Sequence, residues 1–95
     1  MANVKLTWND NSDNETGFYV YRRNGSRSTA EFMDGLEGDG AVSSADRVGT
    51  VTAGVGQFVD TEVEAGDFTY RVSAYNDAGE TYCTSPSVVN VTVTG

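Results

Sequence analysis

The fold of this 95-residue chain is decided by the stretch Asp67-Phe-Thr-Tyr-Arg-Val-Ser-Ala-Tyr-Asn76. Large or apolar side chains alternate with smaller or polar ones along it, which is typical of a β-strand with one face buried. We therefore expect one face of this strand to point inward, with Phe68, Tyr70, Val72 and Ala74, and the other to point outward, with Thr69, Arg71, Ser73 and Tyr75.

Other segments predict further strands. Segment 3–8 alternates in the same way, with Val4, Leu6 and Trp8 on one face. Segment 18–23 places Phe18 and Val20 on one face and Tyr19, Tyr21 and Arg23 on the other. Segments 46–52, 57–63 and 87–94 complete the set. About six short strands with no long helix predict an all-β fold, an antiparallel two-sheet sandwich.

A long connection over residues 24–45 interrupts this pattern. Loops of this length in a small domain are commonly functional or disordered. Ser28 and Glu31 have the spacing of a helix capping box, and Phe32, Met33 and Leu36 follow at helical spacing. The sequence therefore predicts one or two helical turns inside this insertion.

Several short motifs occur in this order along the chain: Leu6-Thr-Trp8 with the turn 9–16 and Gly17-Phe-Tyr-Val-Tyr-Arg22, then Val59-Asp-Thr61, Ala65-Gly66 and Tyr70-Arg-Val-Ser-Ala-Tyr-Asn76, and finally Gly79-Glu80 and Ser85-Pro86-Ser87. Together these residues resemble a fibronectin type III domain of the bacterial or phage type. The resemblance covers 3–24 and 46–94, within a single domain spanning 1–95. It implies an immunoglobulin-like sandwich whose core contains Trp8, Phe18, Val20, Tyr70 and Val72.

The family's first strand is absent from this pattern, and strand 3–8 is then an uncovered sheet edge. A Met placed directly before this strand favours a complete small protein over an excised fragment. A neighbouring chain could add a strand to the edge, which would also permit a homo-oligomer. Alternatively, Lys5 and the short strand length protect the edge sufficiently.

Composition limits the partners. There are 14 acidic and 6 basic residues, with a net charge of −8. This balance disfavours nucleic acid and anionic membranes, and it favours a basic or neutral partner. The chain shows no signal peptide.

Enzyme chemistry is poorly supported. The chain has no His, and its one cysteine, Cys83, therefore has no His partner. The acidic groups Asp10, Asp13, Glu15 and Asp34, Glu37, Asp39 lack the spacing of a calcium loop, and we expect solvated turns. No catalytic residue, metal or cofactor is predicted.

Two candidate binding regions emerge. The first is the outer face of the adjacent strands 18–23 and 67–76, with Tyr19, Tyr21, Arg23, Arg71 and Tyr75. Tyr and Arg are enriched at interface hot spots, and aromatic rings can also stack on sugars. Cross-strand pairing on an ordinary surface explains the same residues. The second region is the insertion, where Phe32, Met33 and Leu36 either fold back over the sandwich or project to a partner.

These features predict a non-enzymatic binding or structural module with a protein partner, in a virion or outside the cell. An accessory or decoration protein of a larger assembly, such as a phage capsid or tail, fits best by analogy of fold. The alternative is a spacer or a carbohydrate- or protein-binding module of a secreted bacterial enzyme or adhesin.

Overall fold

The computed structural model describes residues 2–8, 15–82 and 88–94. Its strands are β1 (Ala2–Thr7), β2 (Gly17–Asn24), β3 (Arg47–Thr52), β4 (Gln57–Val63), β5 (Gly66–Asn76), β6 (Gly79–Tyr82) and β7 (Val89–Val93). A short helix, α1 (Thr29–Asp34), and a 3-10 turn (Ser44–Asp46) lie between β2 and β3. Among the helices described, none has the length and apolar content needed to cross a bilayer.

The strands form two antiparallel sheets. β1 pairs with β4 in a two-stranded sheet. The other sheet runs β3-β2-β5-β6, and β7 also pairs with β5. The prediction of an all-β, sandwich-like fold is therefore confirmed. The strand β6 was missed, because four residues are too few to show an alternating pattern.

The core lies between the two sheets and contains the five predicted residues. Trp8, Phe18, Val20, Tyr70 and Val72 are all buried. The Trp8 and Phe18 rings lie 5.4 Å apart between centroids. The residues that join them in the core come from strands of both sheets: Val4, Leu6, Val51, Val63 and Val93.

A polar cluster also bridges the sheets. Asp60 of β4 is buried on the inner side, where it pairs with Arg22 of β2 at 2.7 Å. The Tyr70 hydroxyl donates to the same carboxylate oxygen at 2.7 Å. Burial, together with this hydrogen bond, raises the pKa of Tyr70 to about 12. We call Arg22, Asp60 and Tyr70 the inter-sheet triad.

Asp60 faces inward opposite Val4, in step with Phe58 opposite Leu6, and a β-bulge follows it in β4. Glu62 has a positive φ of 59°, and the pairing register shifts between Ala2 and Val4. The extra residue turns Val63 into the core, while Val59 is 44% exposed on the opposite face. Simple alternation would have placed these two valines on one face.

The insertion contains the predicted helical turn. The Ser28 hydroxyl accepts from the Glu31 amide at 3.2 Å, and the Glu31 carboxylate accepts from the Ser28 amide at 2.9 Å. This reciprocal pair is the capping box expected from the sequence. The helix ends at Gly35, whose φ of 116° would strain other residues.

Candidate functional site

Tyrosines and arginines stack across the outer face of the five-stranded sheet. The Tyr19 and Tyr75 rings lie 4.0 Å apart and are nearly parallel, at 7°. The Arg47 guanidinium lies 3.7 Å from the Tyr19 ring centroid. Arg47 and Tyr75 belong to strands on either side of β2, so they occupy opposite faces of the Tyr19 ring.

A second row of contacts lies beside this stack. The rings of Tyr21 and Tyr82 are 5.6 Å apart, and the Arg71 guanidinium lies 4.6 Å from the Tyr82 centroid. The Tyr21 hydroxyl donates to Glu80 at 2.5 Å and accepts from Arg47 Nε at 3.0 Å. Burial, then the hydrogen bond to Glu80, raises the pKa of Tyr21 above its usual range.

The Ser73 hydroxyl donates to the same Glu80 carboxylate. We call this set of side chains the tyrosine–arginine cluster: Tyr19, Tyr21, Arg47, Arg71, Ser73, Tyr75, Glu80 and Tyr82. The predicted outer-face residues Tyr19, Tyr21, Arg23 and Arg71 do share one face, because Tyr21 pairs with Arg71 and Arg23 with Thr69. Tyr75 pairs with Gly17 on the same face.

Cross-strand stacking and cation–π contacts link these residues, and part of the face is buried. Tyr21, Arg23 and Arg71 are each less than 9% exposed, and Thr69 and Ser73 are fully buried. Side chains of β3 and β6 contact one part of the face, and the insertion contacts Arg23 and Thr69. Tyr19, Tyr75 and Tyr82 are half-buried, whereas Arg47 and Glu80 are exposed.

The members that sequence reasoning missed are Arg47, Glu80 and Tyr82. Glu80 and Tyr82 reach the cluster because β6 pairs with the end of β5. Arg47 reaches it at a register shift between β2 and β3, opposite Tyr21. Neither this register shift nor a four-residue strand can be recognised from a sequence pattern.

Stacking within the cluster limits sugar binding. Tyr19 has Tyr75 on one face and Arg47 on the other, so neither ring face can receive a sugar. Tyr75 and Tyr82 retain partial exposure. The geometry therefore favours edge and side contacts with a protein over a flat aromatic platform.

The insertion is held to the sheet by Arg23 and Arg27. The Arg23 guanidinium donates to the backbone carbonyls of Phe32 and Gly40 at 2.9 and 2.8 Å. It also donates to the backbone carbonyl of Asp39 at 3.3 Å. Arg27 forms a bidentate pair with the Asp39 carboxylate. The hydrogen bond from Arg27 holds the pKa of Asp39 well below its usual range. We call Arg23, Arg27 and Asp39 the arginine clasp.

The apolar side chains of the insertion fold back. Phe32 is fully buried, and Met33 and Leu36 are half-buried. Among the described residues, the large apolar side chains exposed by more than a third are Val55 and Val59. Of the two alternatives for the insertion, burial against the domain is therefore the one observed.

The metal and thiol expectations concern partly undescribed residues. In the part of the chain that the structure describes, no group of three or more acidic, His or Cys side chains could hold a metal ion. Asp39 is engaged by the clasp. Asp10, Asp13 and Cys83 lie outside the described residues.

The free edge of β1 is a different kind of feature. The Trp8 amide donates to the Gly56 carbonyl at 3.0 Å, toward β4. Because backbone groups alternate sides along a strand, the N–H and C=O groups of Asn3, Lys5 and Thr7 face away from β4. Within residues 2–8, 15–82 and 88–94, no strand pairs with this side. We call these backbone groups of Asn3, Lys5 and Thr7 the open edge.

A small crevice lies beside the open edge. It has a volume of about 10 Å³, roughly the space of one water. Thr7 at the end of β1 and the adjacent Trp8 line one side of it, and Tyr70 of β5 and Val89 of β7 line the other. The open edge therefore borders the inner face of β7.

Comparisons with protein-family models, curated proteins and solved structures find no significant match to this chain.

Proposed function

We propose that this chain is a non-enzymatic module of the fibronectin type III kind that binds protein neighbours in a larger assembly. The observation that carries the proposal is the open edge of β1. A two-stranded sheet covers a five-stranded one, and its first strand offers unpaired backbone groups to another strand. A phage capsid or tail is such an assembly, and this step rests on analogy of fold.

The surroundings of the edge support this use. The side chains of Asn3, Lys5 and Thr7 are exposed, and each alternates with a buried residue of β1. An added strand would continue the same pleat, because this side of β1 carries no bulky cover in the described structure. By contrast, the tyrosine–arginine cluster and the insertion satisfy most of their own contacts.

The proposal is tested by supplying a strand in the same chain. A Thr/Val alternating segment is placed ahead of Ala2 through a tight Gly/Asn turn, so that it can form a hairpin with β1. We expect the melting temperature to rise by about 4 °C or more, which corresponds to roughly 1 kcal/mol for a domain of this size.

The matched control carries prolines in the added segment, which removes its hydrogen-bond donors. Light scattering on the unmodified chain at micromolar concentration shows whether another copy already occupies the edge. An oligomer that Lys5→Pro converts to monomer supports the proposal. A monomer whose melting temperature responds equally to both added segments contradicts it.

A carbohydrate-binding role is the second candidate, and the partial exposure of Tyr75 and Tyr82 favours it. Titration with soluble polysaccharides, followed by the fluorescence of the tyrosine–arginine cluster and by calorimetry, tests this role. Binding that Tyr75→Ala removes and Lys5→Pro retains would support it over the edge.

A further inference from the structure

We infer that the occupant of the open edge is an extended segment of a different protein, in which apolar residues alternate with basic ones. This inference rests on the proposed function and names the partner of the same edge. Three observations carry it: the direction of the backbone groups of β1, the half-covered valines of β7, and the charge left on the domain.

The backbone geometry calls for an extended segment. Three residues of β1, Asn3, Lys5 and Thr7, each present one donor and one acceptor on the same side. A strand laid against them can form a regular ladder with all three. A helix cannot, because its own backbone groups are used internally.

The neighbouring strand calls for apolar side chains at every second position. Val89 and Val91 pair with Tyr70 and Phe68, so they lie on the inner face of β7. Both valines are only half-buried, although they pack against the core. Thr7 and Val89 line the same crevice, which places Val89 beside a strand added at the open edge, with Val91 next along the same face of β7. Burying their remaining apolar surface would favour association.

The charge of the domain calls for basic residues at the alternate, outward positions. The net charge is −8. Three arginines are already paired: Arg22 with Asp60, Arg23 with Asp39 and Asp46, and Arg27 with Asp39. The remaining carboxylates produce a negative field that attracts a basic segment and speeds its encounter.

The same charge disfavours a second copy as the occupant. Two chains of net charge −8 repel each other before their edges meet. A basic segment of a different protein avoids this repulsion.

The experiment uses short synthetic peptides as probes. One alternates Lys and Val, a second alternates Glu and Val, and a third is the Lys/Val peptide with N-methyl groups on its pairing amides. Each is titrated into the isotope-labelled chain, and backbone amide shifts and hydrogen exchange are recorded by NMR. The matched protein variants are Lys5→Pro, which removes an edge donor, and Lys5→Thr, which keeps it.

We expect the Lys/Val peptide to shift and protect the amides of Asn3, Lys5 and Thr7 and to shift those of Val89 and Val91. The Glu/Val and N-methylated peptides should bind at least about tenfold more weakly, a difference of about 1.4 kcal/mol. Lys5→Pro should weaken binding by a similar factor, whereas Lys5→Thr should not. The N-methylated peptide keeps the test valid even if Lys5→Pro perturbs β1.

Other outcomes overturn the inference. Equal binding of the Lys/Val and Glu/Val peptides would show that the edge does not select a basic partner. Shifts confined to the tyrosine–arginine cluster would move the site to the other sheet. If no peptide binds but the chain self-associates through the edge, the occupant is a second copy. The proposed function then stands while this inference fails. If the tethered strand also has no effect, both fail.

Discussion

Both faces of the five-stranded sheet contain buried side chains, but the burial is achieved by different means. The inner face carries Phe18, Val20 and Val72, which pack against apolar side chains of the other sheet. The outer face carries Tyr21, Arg71 and Ser73, which are covered by stacking, hydrogen bonds and the insertion. Burial by apolar area depends on volume, whereas burial by paired polar groups depends on every partner being in place. The inner face should therefore dominate global stability, and the outer face local order.

The largest effect should come from Trp8→Ala on the inner face. The change removes a buried ring that packs against Phe18, and it leaves a cavity. We expect a loss of about 3–5 kcal/mol in the free energy of unfolding, measured by urea denaturation. Val55→Ala, at an exposed position, is the control and should cost about 0.5 kcal/mol or less. A Trp8→Ala protein as stable as this control would disprove the core assignment.

The next effect should come from Asp60→Asn in the inter-sheet triad. This change removes the charge that pairs with Arg22 and weakens the acceptor of the Tyr70 hydroxyl. We expect a loss of about 1.5–3 kcal/mol, as for hydrogen bonds to charged groups. Tyr70→Phe keeps the ion pair, so chemical denaturation should show a loss nearer 1 kcal/mol. The reverse order would mean that the ring hydroxyl, and not the ion pair, joins the sheets.

The arginine clasp should respond to acid. The pKa of Asp39 is lowered in the folded protein, so the folded state holds this carboxylate ionised more readily than the unfolded state does. Its stabilising contribution is therefore complete above the ordinary pKa of an aspartate and is lost as the pH falls through the folded value. Hydrogen exchange of the amides in residues 28–42 should accelerate in that range. In Asp39→Asn, exchange should be fast already at neutral pH and should lose this acid-dependent step. An unchanged acid profile would show that other contacts hold the insertion.

The smallest effect should come from the ring stack on the outer face. The coupling between Tyr19 and Tyr75, measured with Tyr19→Ala, Tyr75→Ala and the double variant, should be about 0.5–1.5 kcal/mol. Because both rings are half-buried, we expect each single variant to remain folded. A coupling near zero would mean that Arg47, and not Tyr75, orders Tyr19, and Arg47→Ala would then have the larger effect.

The sequence predicted the inner face and α1 because each depends on local information. Alternation alone places Val20 and Tyr70 inward, and the capping box needs only Ser28 and Glu31. The burial of the outer face depends on contacts between chain segments that are far apart in sequence. Its burial required Tyr82 from a four-residue strand and Arg27 from the insertion, and no local pattern announces either. A bulge at Glu62 similarly brought Val63 inside, although simple alternation places it on the same face as the exposed Val59.

The candidate site was predicted only in part. The edge of β1 followed from the pattern of strands, because Val4 and Leu6 define the buried face and leave Lys5 outside. The direction of the backbone groups of Asn3, Lys5 and Thr7, away from β4, could be assigned only from the observed hydrogen bond of the Trp8 amide. The half-buried state of Val89 and Val91 could not be predicted, since it depends on how far the smaller sheet extends over the larger one.

The position of the insertion also has a consequence for the speed of folding. The insertion follows β2 in the chain and therefore lengthens the connection between β2 and its partner strand β5. The hydrogen bond from the Arg27 amide to Thr69, for example, joins residues 42 positions apart. Such distant pairings require loop closure before they release favourable energy, which slows β-sheet proteins to the millisecond-to-second range. Doubling the connecting length would cost only about 0.6 kcal/mol in closure entropy. The insertion can therefore change in length during evolution with little effect on the kinetics, provided that residues equivalent to Arg23 and Arg27 still close it.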